Sequence, residues 1–272
     1  MADRLDLYFR AHTNPVTPQK EYRSKRRASQ PKAALIFRCA TTADERRDLL
    51  FGAYICAELK NAEWAAKEIG LFYRSDHPEE LRVFERFVRG SAYELGTFEE
   101  FRRKVFLKYL KAGDLIVAYD APSELSRIAI KWNKSVKTPR AFSFYFRMFR
   151  DKKTGKMRPS GFEPGLSIQS LDASKAVYRP IKYKFHEQDA EREEEQRFSK
   201  VHILDLKTLT SVLTGEVYTF QSACEIFGVP ASRVRKSRPR VTKPSIECLL
   251  RDVTAELELL NRLRKEFDRH VV

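Results

Sequence analysis

The chain has 272 residues, enough for one large domain or two small ones. Apolar residues make up 42% of it, which argues against wholesale disorder, and no apolar run approaches the roughly 20 residues that cross a bilayer. Lysine and arginine total 52 against 37 acidic residues, so the net charge of +15 favours polyanionic partners, chiefly nucleic acid.

Residues 1–32 predict a basic, disordered tail. The stretch NPVTPQKEYRSKRRASQPK is rich in proline and in basic residues and has few apolar ones. Such a segment cannot bury enough surface to offset the entropy lost on ordering. Two interpretations are open: an arm that lies along a phosphate backbone, and a solvated tail without a ligand.

The next part of the chain predicts three strands followed by two helices. Apolar, β-branched and aromatic content places the strands at residues 33–37, 49–59 and 68–73. Residues 77–90 carry apolar side chains at helical spacing. Thr97 and Glu100 fit a capping box for a second helix, which Gly113 ends.

The rest of the chain alternates between strands and helices. Further strands are predicted over residues 114–119, 140–149, 165–171, 176–185 and 201–204. Helices are predicted in the segments APSELSRIAIKW, DLKTLTSVLTG and TFQSACEIFGV, and in a long amphipathic stretch at the C-terminus. Because no linker or repeat is evident, residues 33–272 are expected to form one mixed α/β domain.

Cysteine usage and the N-terminus indicate an intracellular, cytoplasmic protein. The four cysteines form no C-x-x-C pair, so zinc is poorly supported. Cys39, Cys56 and Cys224 lie in apolar segments, where a thiol packs as a small core side chain. The opening sequence MADRLDLYFR is too charged for a signal peptide.

Four segments carry a resemblance to a known family: IFRCATT with LLFGAY, LIVAYDAPSELSRIA, VHILDLKTLTSVLTG and IECLLRDVTAELELLNRL. Their order and spacing resemble the DEDD 3′–5′ exonuclease superfamily, and most closely the exonuclease part of family B-like DNA polymerases. The similar segments span residues 33–268, nearly the whole chain. The resemblance implies an RNase H-like α/β fold, in which a mixed sheet is flanked by helices, and a place at the amino-terminal side of a larger polymerase-like protein.

The resemblance also implies a metal site, and the sequence departs from that site at its first motif. In the family, four carboxylates hold two divalent metals, usually Mg²⁺, about 4 Å apart. The family's first Asp corresponds to Arg38 and its Glu to Ala40. An arginine stays protonated in proteins, so Arg38 would repel a metal ion instead of binding it.

The later motifs keep part of the acidic set. Glu124 corresponds to the Asp of the second block, and Asp120 to its Asn. On the last helix, Cys248 stands in the place of the family's Tyr and Asp252 in the place of its Asp. The resemblance therefore implies Glu124 and Asp252 as ligands of Mg²⁺ or Mn²⁺ if the site is active, with Asp120 beside them.

Each remaining acid also has a purely structural interpretation. Asp120 could cap the helix that follows it, and Glu124 could complement the dipole of that helix. Asp252 could be solvated or paired with an arginine, and Asp205 could cap a helix after its strand. Arg38 could form an ion pair with Glu124 or Asp252 in place of the metals, or bind a phosphate. A shifted alignment would recruit other acids, namely Asp44, Glu45 and Asp48.

Basic residues interleaved with aromatic ones predict nucleic-acid contacts, since cations bind phosphates and aromatic rings stack on unpaired bases. Phe142, Phe144 and Phe146 alternate at strand spacing and are expected to face the core. The predicted phosphate contacts are Arg147, Arg150, Lys152, Lys153, Arg233, Arg235, Lys236, Arg238 and Arg240.

Three functions follow as hypotheses. The first is a nucleic-acid-binding, exonuclease-like domain that is catalytically impaired, because Arg38 and Ala40 replace the acids of the first motif. The second is an active Mg²⁺-dependent 3′–5′ exonuclease of the proofreading type with rearranged ligands. The third is a structural subunit that docks a protein partner through the C-terminal helix. The expected partners are nucleic acid, above all DNA, and polymerase or other protein subunits, with no membrane.

Overall fold

The computed structural model describes residues 31–181, 201–231 and 240–270, except positions 43, 45–46, 75, 77, 136–137, 153, 161–162 and 173–174. The predicted basic tail, apart from its last two residues, lies outside this part of the chain. Residues 232–239, which contain most of the C-terminal basic loop, lie outside it as well.

Along the described residues, the strands are β1 (Ala33–Thr41), β2 (Leu49–Lys60), β3 (Glu63–Tyr73), β4 (Glu94–Thr97), β5 (Leu115–Ala118), β6 (Lys131–Lys134), β7 (Ala141–Tyr145), β8 (Met148–Arg150), β9 (Met157–Pro159), β10 (Leu166–Ser170), β11 (Ala176–Pro180) and β12 (His202–Asp205). The helices are α1 (Pro78–Val88), α2 (Phe98–Glu100), α3 (Leu107–Ala112), α4 (Ala121–Ile128), α5 (Leu206–Thr214), α6 (Phe220–Ile226) and α7 (Lys243–His270). A π-helical segment, Phe101–Phe106, joins α2 to α3.

A six-stranded mixed sheet with the order β12-β5-β1-β2-β3-β4 forms the centre of the fold. β1, β2 and β3 form an antiparallel meander, and β5 and β12 extend it on the β1 side as parallel strands. The meander turns between β2 and β3 at Asn61 and Ala62, whose positive φ angles of 49° and 66° suit a two-residue hairpin. The predicted mixed α/β architecture, a mixed sheet flanked by helices, is confirmed.

Both faces of the large sheet are buried, because residues of β1 alternate between two cores. Ala34 and Ile36 belong to a first core with α7, and Leu35 and Phe37 belong to a second core on the opposite face. The apolar stripe of α7 lies within the first core and packs against β1, β2 and β3. The large sheet therefore covers the apolar stripe of α7, the helix that the third hypothesis assigns to docking a protein partner. Among the described helices, none combines the length and the apolar character that crossing a bilayer requires.

A second sheet, with the order β11-β10-β7-β6, follows α4 in the chain. Its apolar face joins the second core, where Phe144 and Phe146 are buried and Phe142 is half-buried. The predicted placement of these three rings against the core is confirmed. β8 and β9 form a separate hairpin between β7 and β10.

The predicted helix from Thr97 to Gly113 is confirmed together with its caps. The side chain of Thr97 accepts a hydrogen bond of 3.2 Å from the backbone N of Glu100, and Oε2 of Glu100 accepts one of 3.0 Å from the backbone N of Thr97. Gly113 ends the helix with a left-handed φ of 72°. The π-helical segment inside this helix has no counterpart in the sequence pattern.

The structure corrects one helix boundary and adds short strands. α4 ends at Ile128 and Ala129 is extended, so Trp132 lies on strand β6 and not on a helix. The single strand predicted over residues 140–149 is divided between β7 and β8. β4 and β9 escaped prediction because strands of four and three residues are too short to show a periodic pattern.

Gly52→Ala is expected to destabilise the fold. A methyl group at residue 52 would lie 2.0 Å from the ring of Phe72, which is fully buried and stacked on Phe101 with ring centroids 4.0 Å apart. Relieving this overlap requires a shift in the second core, so we expect the free energy of unfolding to fall by about 1–3 kcal/mol. Urea denaturation measures the change.

Gly96→Ala is the matched control for this substitution, because its new methyl group would lie 3.6 Å from the nearest atom. We expect a change within about 0.5 kcal/mol there. Equal losses for the two variants would contradict the close packing of Phe72 on residue 52.

Candidate functional site

Arg38 lies near the end of β1 and contacts two carboxylates of α7. Its Nη1 donates a hydrogen bond of 2.5 Å to Oε1 of Glu256, and its Nε lies 3.7 Å from Oδ2 of Asp252. Asp252 and Glu256 are four residues apart on α7, so both project from one face of the helix. The side chain of Arg38 is 20% exposed, that of Asp252 14% and that of Glu256 0%. Both ion pairs are therefore largely shielded from water.

The guanidinium of Arg38 also lies over an aromatic ring. Its central carbon is 4.1 Å from the ring centroid of Phe220, at the start of α6. Phe220 packs edge-to-face on Tyr119 with centroids 5.3 Å apart, and Tyr119 Oη donates a hydrogen bond of 2.8 Å to the backbone O of Tyr218. A cation over a ring is attracted by its π electrons. Arg38 is thus held by two carboxylates and one supported ring.

Glu124, in the first turn of α4, completes this cluster. Its Oε2 accepts a hydrogen bond of 2.8 Å from the backbone N of Cys39, the residue after Arg38. Burial raises the pKa of Glu124 to about 7, although the charge of Arg38 and the hydrogen bonds from Cys39 act in the opposite direction. Besides lying at a helix N-terminus, Glu124 therefore ties α4 to the backbone of β1.

Three carboxyl groups face one guanidinium in the cluster. Burial raises the pKa of Glu256 to about 8; the charge of Arg38 opposes this rise, and the charges of Glu124 and Asp252 add to it. Burial alone would lower the pKa of Arg38, but the charges of these three acids raise that pKa above its ordinary value. Arg38 is therefore always charged, and burial favours the protonated forms of Glu124 and Glu256.

The divalent metal site that the family resemblance implies does not fit these residues. Mg²⁺ and Mn²⁺ take oxygen ligands, whereas Arg38 already forms ion pairs with Asp252 and Glu256. A metal ion there would be repelled by a guanidinium that cannot lose its proton. Ala40, the second position of the first motif, supplies no ligand atom and packs against the first core. In the part of the chain that the structure describes, no group of three or more His, Cys, Asp or Glu is arranged to hold a metal ion.

Asp120 and Asp205 form a second polar junction, at the ends of β5 and β12. Asp120 has a left-handed φ of 64°, and its side chain does not cap α4; its Oδ2 lies 3.7 Å from Nζ of Lys207. Asp120 therefore occupies the N-cap position of α4 but does not cap the helix with its side chain. For Asp205 the capping interpretation is confirmed, because its Oδ1 accepts a hydrogen bond of 3.0 Å from the backbone N of Lys207.

Asp205 also connects three elements through its carboxylate. Its Oδ1 accepts a second hydrogen bond, from the backbone N of Asp120, and its Oδ2 accepts one from Tyr178 Oη, both at 3.2 Å. Burial, and then the charge of Asp120, raises the pKa of Asp205 to about 6. These contacts give Asp205 a structural role, because they join β12 to Asp120, Tyr178 and Lys207.

The other sequence-based candidates do not enter the ion pairs of Arg38. Cys248 is half-buried on α7, one turn before Asp252. The acids of the shifted alignment lie in the connection between β1 and β2, where Asp44 and Asp48 are exposed. Glu45 lies outside the described residues.

Sequence reasoning missed Glu256, which makes the shortest contact with Arg38. The signal for it was present, because Glu256 follows Val253 and Asp252 by three and four residues on an amphipathic helix. An acid on the buried side of such a helix needs a partner, since a buried unpaired charge is strongly unfavourable. Phe220 was missed as well, because no local pattern marks the ring beneath a cation.

The predicted phosphate contacts fall into three groups. Arg147 donates a hydrogen bond of 2.7 Å to Oε1 of the buried Glu163, and Nζ of Lys111 lies 2.5 Å from the other oxygen of that carboxylate. Arg147 is therefore engaged in a structural ion pair. Three candidates are exposed, namely Arg150, Lys152 and Arg240. The remaining candidates lie outside the described residues: Lys153, Arg233, Arg235, Lys236 and Arg238.

Glu256→Gln is expected to flatten the pH dependence of stability. The pKa of Glu256 is raised from 4.5 to about 8 in the folded state, so folding favours its protonated form. Its contribution to stability is full below a pH of about 4.5 and is lost as the pH rises towards about 8. Because the amide cannot titrate, the variant should lose less stability than the wild type between these pH values, by on the order of 4 kcal/mol.

Urea denaturation at several pH values measures this difference. Glu258→Gln is the matched control, since Glu258 lies on the same helix with its side chain 40% exposed, and it should follow the wild type. Parallel curves for the wild type and Glu256→Gln would show that the buried carboxyl group does not titrate in this range.

Sequence comparison assigns no family to this chain. No protein-family model matches it, and no curated protein has a sequence that matches it significantly. The geometry of Arg38 and its three carboxyl groups is therefore the main guide to function.

Proposed function

We propose that this chain is a nucleic-acid-binding domain of the RNase H-like, DEDD exonuclease type in which Arg38 has replaced the catalytic metals. Three positions that the family resemblance assigns to one catalytic site converge, and this observation carries the proposal. Arg38 lies 3.7 Å from Asp252, and Cys39, the next residue, donates to Glu124. Because these positions are widely separated in sequence, a wrong alignment would have no reason to bring them together.

The elements that carry these residues support the same proposal. The resemblance implies a first motif on a strand and a last motif on a helix. Arg38, Glu124 and Asp252 lie on β1, on the first turn of α4 and on α7. Arg38 and Asp252 thus have both the position and the type of element that the resemblance implies.

The chemistry of the cluster favours a binding module over an enzyme. A buried guanidinium between carboxylates stabilises the packing of α7 on β1, because it satisfies acids that would otherwise repel one another. Arg38 performs this task without a metal ion, and its permanent charge opposes the binding of one. A fold that is stabilised in this way can keep its affinity for nucleic acid after its catalytic activity is lost.

The charge of the chain supports nucleic acid as the ligand. The net charge is +15, and Arg150, Lys152 and Arg240 are exposed where they can reach phosphates. DNA is the nucleic acid that the family resemblance favours. An intracellular, cytoplasmic location and association with polymerase or other protein subunits belong to the same proposal.

A second candidate function is an active, metal-dependent 3′–5′ exonuclease. One observation favours it: the charges of Glu124, Asp252 and Glu256 all act on Arg38, so three acids lie near the position of one cation. A metal ion could enter only if Arg38 left both of its ion pairs. Activity and binding can be separated in one experiment.

Labelled single-stranded and 3′-recessed DNA are expected to be bound but not shortened, with Mg²⁺ or with Mn²⁺. Because phosphate contacts dominate binding, the affinity should fall at least about tenfold between about 50 and 200 mM salt. Fluorescence anisotropy measures binding, and electrophoresis of the same samples measures length. Shortening of the 3′ end that Asp252→Ala abolishes would establish the second candidate. A lack of binding at low salt would overturn the proposed function.

Arg38→Asp is expected to create a site that binds Mn²⁺. The substitution removes the guanidinium and leaves carboxyl groups at positions 38, 124, 252 and 256, which repel one another until a divalent ion binds. The variant should melt below the wild type in EDTA and regain about 5 °C or more when Mn²⁺ is added in excess. Differential scanning fluorimetry measures both values.

Arg38→Met is the matched control, because it removes the same charge without adding a ligand. Its melting temperature should not respond to Mn²⁺. The same response from both variants, or none from Arg38→Asp, would show that the acids do not converge on a space that a metal ion can fill.

A further inference from the structure

β6 carries an exposed tryptophan on the outermost strand of the second sheet. All four residues of Lys131–Lys134 are exposed, and Trp132 is 58% exposed. β6 pairs with β7 on one side, and no strand of the described residues pairs with its other side. Tryptophan combines a large apolar ring with a polar edge, so its exposure at the edge of a sheet marks a candidate recognition surface.

The indole of Trp132 is held in place from within the sheet. Trp132 lies opposite Phe144 in the β6–β7 register, and its ring meets Phe142 edge-to-face with centroids 5.7 Å apart. Phe142 in turn packs against the second core. Because the ring is oriented before a ligand arrives, stacking on it loses less conformational entropy.

The charge around Trp132 fits a polyanion. Between Glu124 and Asp151 the chain has seven lysines and arginines and no acidic residue. Lys131 and Lys134 belong to this run, and both are exposed on β6 itself. A surface that offers an aromatic ring and cations without acids is complementary to a phosphate backbone that carries bases.

A second aromatic and basic pair adjoins this edge. The backbone N of Ile130, just before β6, donates a hydrogen bond of 2.8 Å to the backbone O of Tyr145. β8 begins three residues later and exposes Phe149, at 47%, beside Arg150. The β8–β9 hairpin thus begins close in the chain to the strand that pairs with β6.

We propose that the edge of β6 binds unpaired nucleic acid, with a base stacked on Trp132 and the backbone phosphates on Lys131 and Lys134. The inference rests on the proposed function and adds to it a site and a form of ligand. In a duplex the faces of the bases are covered by their neighbours, whereas an unpaired base can place its face on an indole. An extended peptide could pair with the same open edge, but the cationic, acid-free run of sequence that contains β6 favours the polyanion.

Intrinsic fluorescence can test this contact, because Trp64 and Trp132 are the two tryptophans of the chain and Trp64 is only 7% exposed. Single-stranded oligothymidylate is expected to quench the emission of Trp132 when a base stacks on it. Trp132→Ala should lose at least about fivefold in affinity for the single strand, and Trp132→Phe should keep most of it. A duplex of the same length should be bound about equally by the wild type and Trp132→Ala.

Tyr93→Ala is the matched control, since Tyr93 is an exposed aromatic residue that stacks on Phe87 and precedes Glu94. It should bind both nucleic acids as the wild type does. Salt-sensitive binding of the single strand that Trp132→Ala leaves unchanged would overturn this site and leave the proposed function standing. Binding of neither nucleic acid would overturn both. Quenching by an acidic peptide but not by the oligonucleotide would assign the edge to a protein partner.

Discussion

The ion pairs of Arg38 are the interaction on which the centre of this domain depends. They join β1 to α7 through Asp252 and Glu256, and the ring of Phe220 adds α6 to the same contact. Removing one partner of a buried ion pair leaves an uncompensated charge, which destabilises a protein by about 3–5 kcal/mol. The arginine and the acids around it are consequently constrained to change together. Such a constraint keeps Arg38, Asp252 and Glu256 close in space without the need for a reaction.

Charge balance explains how one arginine can stand where a metal pair is expected. A guanidinium carries far less positive charge than two divalent ions. A full set of acids around it would therefore leave an excess of negative charge. In the proposed function, Ala40 stands where the resemblance places an acid of the first motif, and the raised pKa values of Glu124 and Glu256 reduce the negative charge further. The cluster thus approaches neutrality through fewer carboxylates and retained protons.

The features that local patterns control could be predicted from the sequence. The caps at Thr97 and Gly113 and the apolar stripe of α7 follow from residue type and spacing, and the structure bears them out. Local patterns do not reveal the role of Glu256, because its partner Arg38 is distant in sequence. They do not reveal the left-handed backbone of Asp120 either, because its N donates a hydrogen bond to the distant carboxylate of Asp205. The predicted helix runs on into the strand around Trp132 because no glycine or proline in residues 129–134 marks the end of the helix. Tertiary contacts decide such positions, and one sequence does not display them.

Asp205 links the two sheets through its carboxylate. One carboxylate receives Tyr178 from the small sheet and the backbone of Asp120 from the end of β5 in the large one. Trp132 belongs to the small sheet, whereas Arg38 and Asp205 belong to the large one, so the hydrogen bond from Tyr178 to Asp205 helps to fix the angle between an exposed aromatic edge and the centre of the domain.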